Sequence, residues 1–206
     1  YLVNVSLIQL NSSQDDKNNS LNLNKRLQYI EDAIKNSESE LIIFSENDFP
    51  YTISNLNDLN FLQKNLKKKQ SIIIGGIRKE NNNYFNTMYL IERENIQYFD
   101  KKILVPFGEF LPIRKMLFFL DQIVGNNDFK SGTDKRILTT SNNLNIIPII
   151  CYEIIFHNEL LDNTNINGDL MINITNDSWF GNFSGPYQHF YLSKMRAVEF
   201  NKFLIR

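Results

Sequence analysis

Apolar residues in this chain gather into short runs of isoleucine, valine and leucine, separated by stretches whose apolar positions recur every three or four residues. Residues 3–9 alternate and predict a first strand. A polar loop over 11–19 follows, and Ser20 can cap a helix that places Leu23, Leu27, Ile30 and Ile34 on one face. Residues 41–44 predict a second, buried strand that delivers Ser45, Glu46 and Asn47 to its carboxyl end, and Pro50 disfavours helix at Phe49. Residues 56–69 predict a helix with Leu59, Leu62 and Leu66 inward and Lys67, Lys68 and Lys69 as a solvated end. Strands are predicted over 71–76, 84–91 and 96–99, the first two joined by a turn at 81–83 and the last ending on Asp100, Lys101 and Lys102. The run 145–150 is a buried strand too short to span a membrane, and it ends on Cys151. Residues 153–161 then take helical spacing, which puts Cys151 at a strand-to-helix corner. A last buried strand over 169–175 leads into residues 176–181, and Pro186 opens a final helix through Phe203, inside which the chain stops.

The alternation of strands and helices, with one hairpin-like excursion, argues for a single layered α/β domain over residues 1–206. With 42% hydrophobic and 22% charged residues, the chain can bury one sizeable core. A net charge of −1 suggests neither a nucleic-acid polyanion nor an anionic membrane surface as partner. No run reaches the roughly 18 apolar residues of a transmembrane helix, and no signal peptide is visible. Opening on Tyr1 in a strand and stopping at Arg206, the sequence reads as a piece of a longer protein, cut at both ends. One segment departs from the pattern. Residues 104–124 are apolar yet broken by Pro106, Gly108 and Pro112, and then form a compact amphipathic stretch with a basic start. It fits a core helix, or an apolar flap presented to lipid or a partner.

Three predicted strand ends carry chemistry: Glu46, Lys101 and Cys151. Parallel neighbours in one sheet would bring such tips together beyond the carboxyl edge, where open α/β sheets place ligands. A thiol needs a base and a positive neighbour to act at neutral pH. A carboxylate can take its proton, an ammonium can stabilise the oxyanion, and the backbone N–H groups of a following helix favour a thiolate. Each residue also has a plainer reading: a buried small hydrophobe for Cys151, a strand-end cap for Glu46, a solvated side chain for Lys101. His157 and His189, with one cysteine, make no persuasive zinc site, and no glycine-rich phosphate loop is present.

The residues 44–46 (Phe-Ser-Glu), Lys101, and 151–153 (Cys-Tyr-Glu), in that order, resemble the glutamate, lysine and cysteine signatures of the nitrilase, or carbon–nitrogen hydrolase, superfamily. The stretch 100–112, with its Leu-Val-Pro-Phe-Gly-Glu core, resembles more specifically the signature of the apolipoprotein N-acyltransferase family, as do 176–181, Gln188-His189 and 196–199. The resemblance implies a layered α-β-β-α sandwich, incomplete at the C-terminus, with membrane helices missing at both ends. It implies Glu46 as general base, Lys101 as oxyanion-stabilising ammonium and Cys151 as nucleophile, with Glu109 as a second, supporting carboxylate. Glu153 and Tyr152 would line the pocket, supported by Trp179 and Phe180. The reaction implied moves an acyl chain from a phospholipid, through a Cys151 thioester, to the α-amine of a diacylglyceryl-cysteine lipoprotein. It calls for no cofactor or metal, and it sits on the periplasmic face of the bacterial inner membrane. Two rivals stand beside it: a soluble amidohydrolase of the same superfamily acting on a small amide, and a non-catalytic interaction module.

Overall fold

Two sheets share the strands, and alternate apolar residues along the inner strands face opposite sides. The structure, a computed structural model, describes residues 3–11, 20–110, 128–177 and 184–206. The first sheet is built in the order β1 (Val5–Leu7), β2 (Leu41–Ile43), β3 (Ser71–Glu80), β4 (Asn83–Glu92) and β5 (Ile96–Asp100). The first three run parallel, and β4 and β5 add to them as antiparallel hairpin strands. The second sheet runs β6 (Leu138–Thr139), β7 (Asn145–Ile150), β8 (Leu170–Ile174) and β9 (Phe203–Ile205), parallel except for the β6–β7 pair. Helix α1 (Ser20–Asn36) carries the crossover between β1 and β2, and α4 (Gly185–Glu199) that between β8 and β9. The described residues also form two short helices, α2 (Asn60–Asn65) and α3 (His157–Leu160).

Leu41 and Ile43 of β2 point with Ile73, Met88 and Phe99 at Ile146, Ile150, Ile172 and Ile174 of the other sheet, forming the central core. Ile42, Ile72 and Ile74, one position out of phase, face Ile30 and Ile34 of α1 together with Leu59 and Leu62. On the far side Ile147, Ile149 and Met171 pack with Leu160 and against Ala197 of α4. Strand runs buried on both faces are what two covered sheets require. The result is four layers, α-β-β-α. Each enclosed Ile, Leu or Phe contributes about 1.5–3 kcal/mol of burial, so the central core outweighs any single polar contact.

Several expectations are revised by this architecture. The helix expected over 56–69 is a 3₁₀ turn, Leu56–Leu59, followed by α2, which ends at Asn65. The segment 153–161 is a 3₁₀ helix, Cys151–Ile155, and then the single turn of α3, because Phe156 at φ −90°, ψ 81° interrupts helical geometry. The final helix stops at Glu199, the chain reverses at Asn201 (φ 49°), and Phe203–Ile205 pairs as β9 beside β8 where helix was expected. Of the stretch 104–124, residues 111–124 lie outside the described residues. Among the described residues no helix is long and apolar enough to cross a membrane.

Candidate active site

Glu46 stands on a tight loop just past β2. Ser45 donates from its backbone N–H (2.7 Å) and its hydroxyl (2.9 Å) to Asp48 Oδ2, while Arg26 of α1 donates to the carbonyls of Asn47 and Asp48, both at 2.9 Å. The loop lies directly on β3 because Gly75 has no side chain. A Cβ there would sit 2.7 Å from Asn47 N and 2.8 Å from Glu46 Cα, closer than real contacts allow. Lys101 follows β5, its N–H given to Asn86 O at 2.8 Å and its carbonyl accepting from Gly132 N at 2.9 Å. Asp100 beside it is anchored by Arg78 Nε (3.1 Å) and the Thr87 hydroxyl (2.6 Å).

Cys151 follows β7 at φ 50°, a left-handed conformation that costs a non-glycine residue about 1–3 kcal/mol and persists only where its surroundings impose it. Those surroundings are explicit. Glu153 accepts from Ile150 N (2.9 Å), Lys102 N (2.8 Å) and Ile103 N (3.2 Å), and both of its oxygens pair with Arg136 at 2.9 Å. Arg136 also donates to Pro148 O at 2.8 Å. The Cys151 carbonyl meets Asn173 Nδ2 and His189 Nε2, each at 3.2 Å. Glu153 is therefore a fully buried clamp between the cysteine and lysine segments, not a pocket-lining residue.

The expected convergence of tips within one sheet is corrected: Glu46 and Lys101 come from the first sheet, Cys151 from the second, and the site forms between the two. Lys101 Nζ lies 3.8 Å from Glu46 Oε1 and 2.8 Å from Glu109 Oε2, with 1% of the lysine side chain exposed. Glu46 also accepts from Asn86 Nδ2 (2.8 Å) and from Asn176 N (2.9 Å). The Cys151 thiol lies close enough to Glu46, Lys101 and Thr175 for all three to act on its ionisation. Glu109 reaches the lysine from a tight turn at 105–110, where its carboxylate accepts from Val105 N at 2.9 Å and its backbone N–H returns to Val105 O.

Burial raises the Glu46 pKa above its usual value, with Glu109 adding to the rise and Lys101 and Asn86 opposing it. Burial alone would lower Lys101, but Glu46 foremost, then Glu109 and Cys151, outweigh it and the ammonium is held above its usual value. The thiol is pushed up to about 12 by burial and by the negative charge of Glu46. A resting thiolate, expected from a following helix, is thus replaced by a neutral thiol beside a carboxylate of enhanced basicity. Such a set can pass a proton from sulfur to Glu46 as the sulfur attacks a carbonyl carbon, with Lys101 adjacent to the developing oxyanion.

Tyr152 packs edge-on to Phe156, ring centroids 5.6 Å apart, and its ring centre lies 6.3 Å from that of His189. Trp179 and Phe180 lie outside the described residues. His189 bridges Asp177 (2.8 Å) and the Cys151 carbonyl, and Arg206 ties Asp177 (2.7 Å) to Asn173 (2.9 Å). His157, exposed near Glu199, is remote from this network. Among the described residues no group of His, Cys, Asp and Glu is placed to hold a metal ion. Asn86, Arg136 and Thr175 are participants that sequence reasoning missed. Asn86 offered a signal, an amide among the aromatic and apolar residues of β4, whereas Arg136 sits in a polar stretch with none.

The fold and site define a class, and residues 4–206 match the carbon–nitrogen hydrolase family: the chain belongs to it. More particularly, it is similar to the apolipoprotein N-acyltransferase of Wigglesworthia glossinidia brevipalpis, 38% identical over 98% of this chain and 43% of that protein. It is also similar to the apolipoprotein N-acyltransferase of Rickettsia typhi, 39% identical over 87% of this chain and 36% of that protein. The chain therefore spans less than half the length of these relatives. Among solved structures, an amidase variant from Nesterenkonia sp. with an acetamide moiety on its active-site cysteine superposes with a TM-score of 0.67 at 16% identity, over 98% of this chain and 74% of that one. That likeness establishes the fold alone.

Proposed function

We propose that this chain is the catalytic domain of an apolipoprotein N-acyltransferase, acting on the periplasmic face of the bacterial inner membrane. The observation that carries the reading is the meeting of a buried carboxylate, a buried ammonium and a thiol from three separate strand ends, in a chain whose relatives bear that name. In the first step the Cys151 sulfur attacks the ester carbonyl of a phospholipid and its proton passes to Glu46. Lys101 stabilises the tetrahedral oxyanion; the carbon–oxygen bond then breaks, and lysophospholipid leaves with the proton from Glu46. In the second step the α-amine of a diacylglyceryl-cysteine lipoprotein attacks the thioester and Glu46 takes a proton from the amine. The thiolate leaves and is reprotonated. Glu109 holds Lys101 in place throughout. A thioester is a competent donor to an amine only where water is kept out, which suits a site sunk between two sheets.

The same three residues could serve amide hydrolysis, with water as the second nucleophile. Incubation of the intact membrane protein with acyl-labelled phospholipid separates the two readings. Label on Cys151, lost in Cys151→Ser and discharged onto a diacylated lipopeptide amine, is the expected result. Discharge to water alone, with the lipopeptide left unlabelled, would replace the acyltransferase by a hydrolase; no label at all would remove the thioester.

A further inference from the structure

We infer that Asn86 is a positioning residue for this chemistry: its amide nitrogen bridges both glutamates, keeping Glu46 directed at the thiol while Glu109 holds the lysine. The inference rests on the reading of Glu46 as base. Asn86 projects from β4 at 2% exposure, and its Nδ2 donates to Glu46 Oε1 and to Glu109 Oε1, 2.8 Å in each case. Lys101 is committed elsewhere. Its hydrogen bond goes to Glu109 at 2.9 Å, whereas Glu46 Oε1 is 3.8 Å away, beyond hydrogen-bond reach. On that oxygen Glu46 is thus held by the amide and not by the ammonium, and its other oxygen takes Asn176 N.

The orientation of the amide follows from the charges. Turned over, Asn86 would set its carbonyl oxygen against two carboxylates. As it stands, Oδ1 is buried without a partner among the described residues, so the side chain gives up an acceptor bond to aim both donors at the acids. Among the described residues the two carboxylates share one cation, and the amide hydrogens add positive potential to that of the Asn176 and Val105 N–H groups. Asn86 also receives Lys101 N on its own carbonyl, so a single β4 residue fixes the base, the second acid and the start of the lysine segment. The titratable groups facing Glu46 are Lys101 at the end of β5, Glu109 from the turn after it, and Cys151 at the end of β7. Removing the amide leaves all three in place and makes Glu46 harder to ionise.

The test is the pH dependence of pre-steady-state acylation by p-nitrophenyl butyrate, a chromogenic ester that does not presuppose a phospholipid donor. A sulfur–carbon bond forms, the ester carbon–oxygen bond breaks, the thiol proton goes to Glu46 and p-nitrophenolate leaves as the burst. In Asn86→Leu the acid limb is expected to move up by about one pH unit, a roughly tenfold loss on the acid side that recovers at higher pH. An unmoved limb, whether the rate falls uniformly or stays unchanged, overturns the inference. Should circular dichroism show Asn86→Leu unfolded, the near-isosteric Asn86→Asp decides, since a third carboxylate shifts the limb the same way and an unmoved limb again overturns it. A burst that survives Cys151→Ser overturns the nucleophile assignment and this inference with it. A burst lost in Cys151→Ser, with the limb unmoved in the Asn86 variants, overturns Asn86 alone.

Discussion

Glu46, Glu109 and Lys101 place two acidic groups and one basic group in a space nearly closed to water, and their pairing is a matter of stability as well as chemistry. Lys101→Met removes the one cation that, among the described residues, the two acids share. Beyond a fall in acylation rate of roughly 10²–10³-fold, it is expected to cost about 3–5 kcal/mol at neutral pH, because uncompensated buried charge remains. Urea unfolding midpoints measured beside the burst rate check both. Unchanged stability would mean that the acids take up protons freely, and an unchanged rate would take Lys101 out of the mechanism. Glu46, Lys101 and Cys151 were legible in the sequence because each ends an apolar run. The partners that direct them were not: Arg136 meets Glu153, and Thr175 comes beside Cys151, only once the second sheet is assembled, and nothing local in the sequence marks such contacts.

At the scale of elements, the site depends on how closely strands and loops approach. Gly75 follows three isoleucines in β3, and a glycine inside such a strand is a legible sign of another backbone close by. Gly75→Ala would drive a methyl group against the backbone of residues 45–47. Expected are a stability loss of about 1–3 kcal/mol and a drop in the maximal acylation rate larger than any change in apparent ester affinity, since Glu46 moves while the pocket stays. Normal kinetics with normal stability would show that the loop has room to shift. The inner strands β2, β3, β7 and β8 were readable because each is an apolar run buried on both faces, whereas β9, with Phe203 exposed, read as the end of the last helix. The assignment of strands to two sheets was not readable, since an isoleucine run reads alike in either. The helix expected after Cys151 failed for a related reason: Ile154, Ile155 and Leu160 have helical spacing, yet a 3₁₀ turn satisfies it equally and keeps the cysteine at its left-handed φ.

For the molecule as a whole, the Glu153–Arg136 pair joins the two halves of the site. Glu153 accepts from the lysine segment on one side and from the last residue of β7 on the other. Burial opposes its charge, but Arg136 first and then the backbone N–H donors outweigh that and hold its pKa below the ordinary 4.5. A folded-state pKa below the unfolded one gives stability fully present above the unfolded value and lost as pH falls through the folded one. Glu153→Gln is therefore expected to cost about 3–5 kcal/mol near neutrality, and to unfold with a shallower dependence on acid than the parent as pH falls below the ordinary glutamate value. Parallel pH profiles for the two proteins would reject a coupling role for this pair.

The neutral state of the cysteine has a consequence for survival. Peroxides and disulfides react with sulfur that has already lost its proton. Held as S–H by burial and by the charge of Glu46, this atom offers oxidants little to attack, whereas a permanently ionised sulfur in the same place would be open to them.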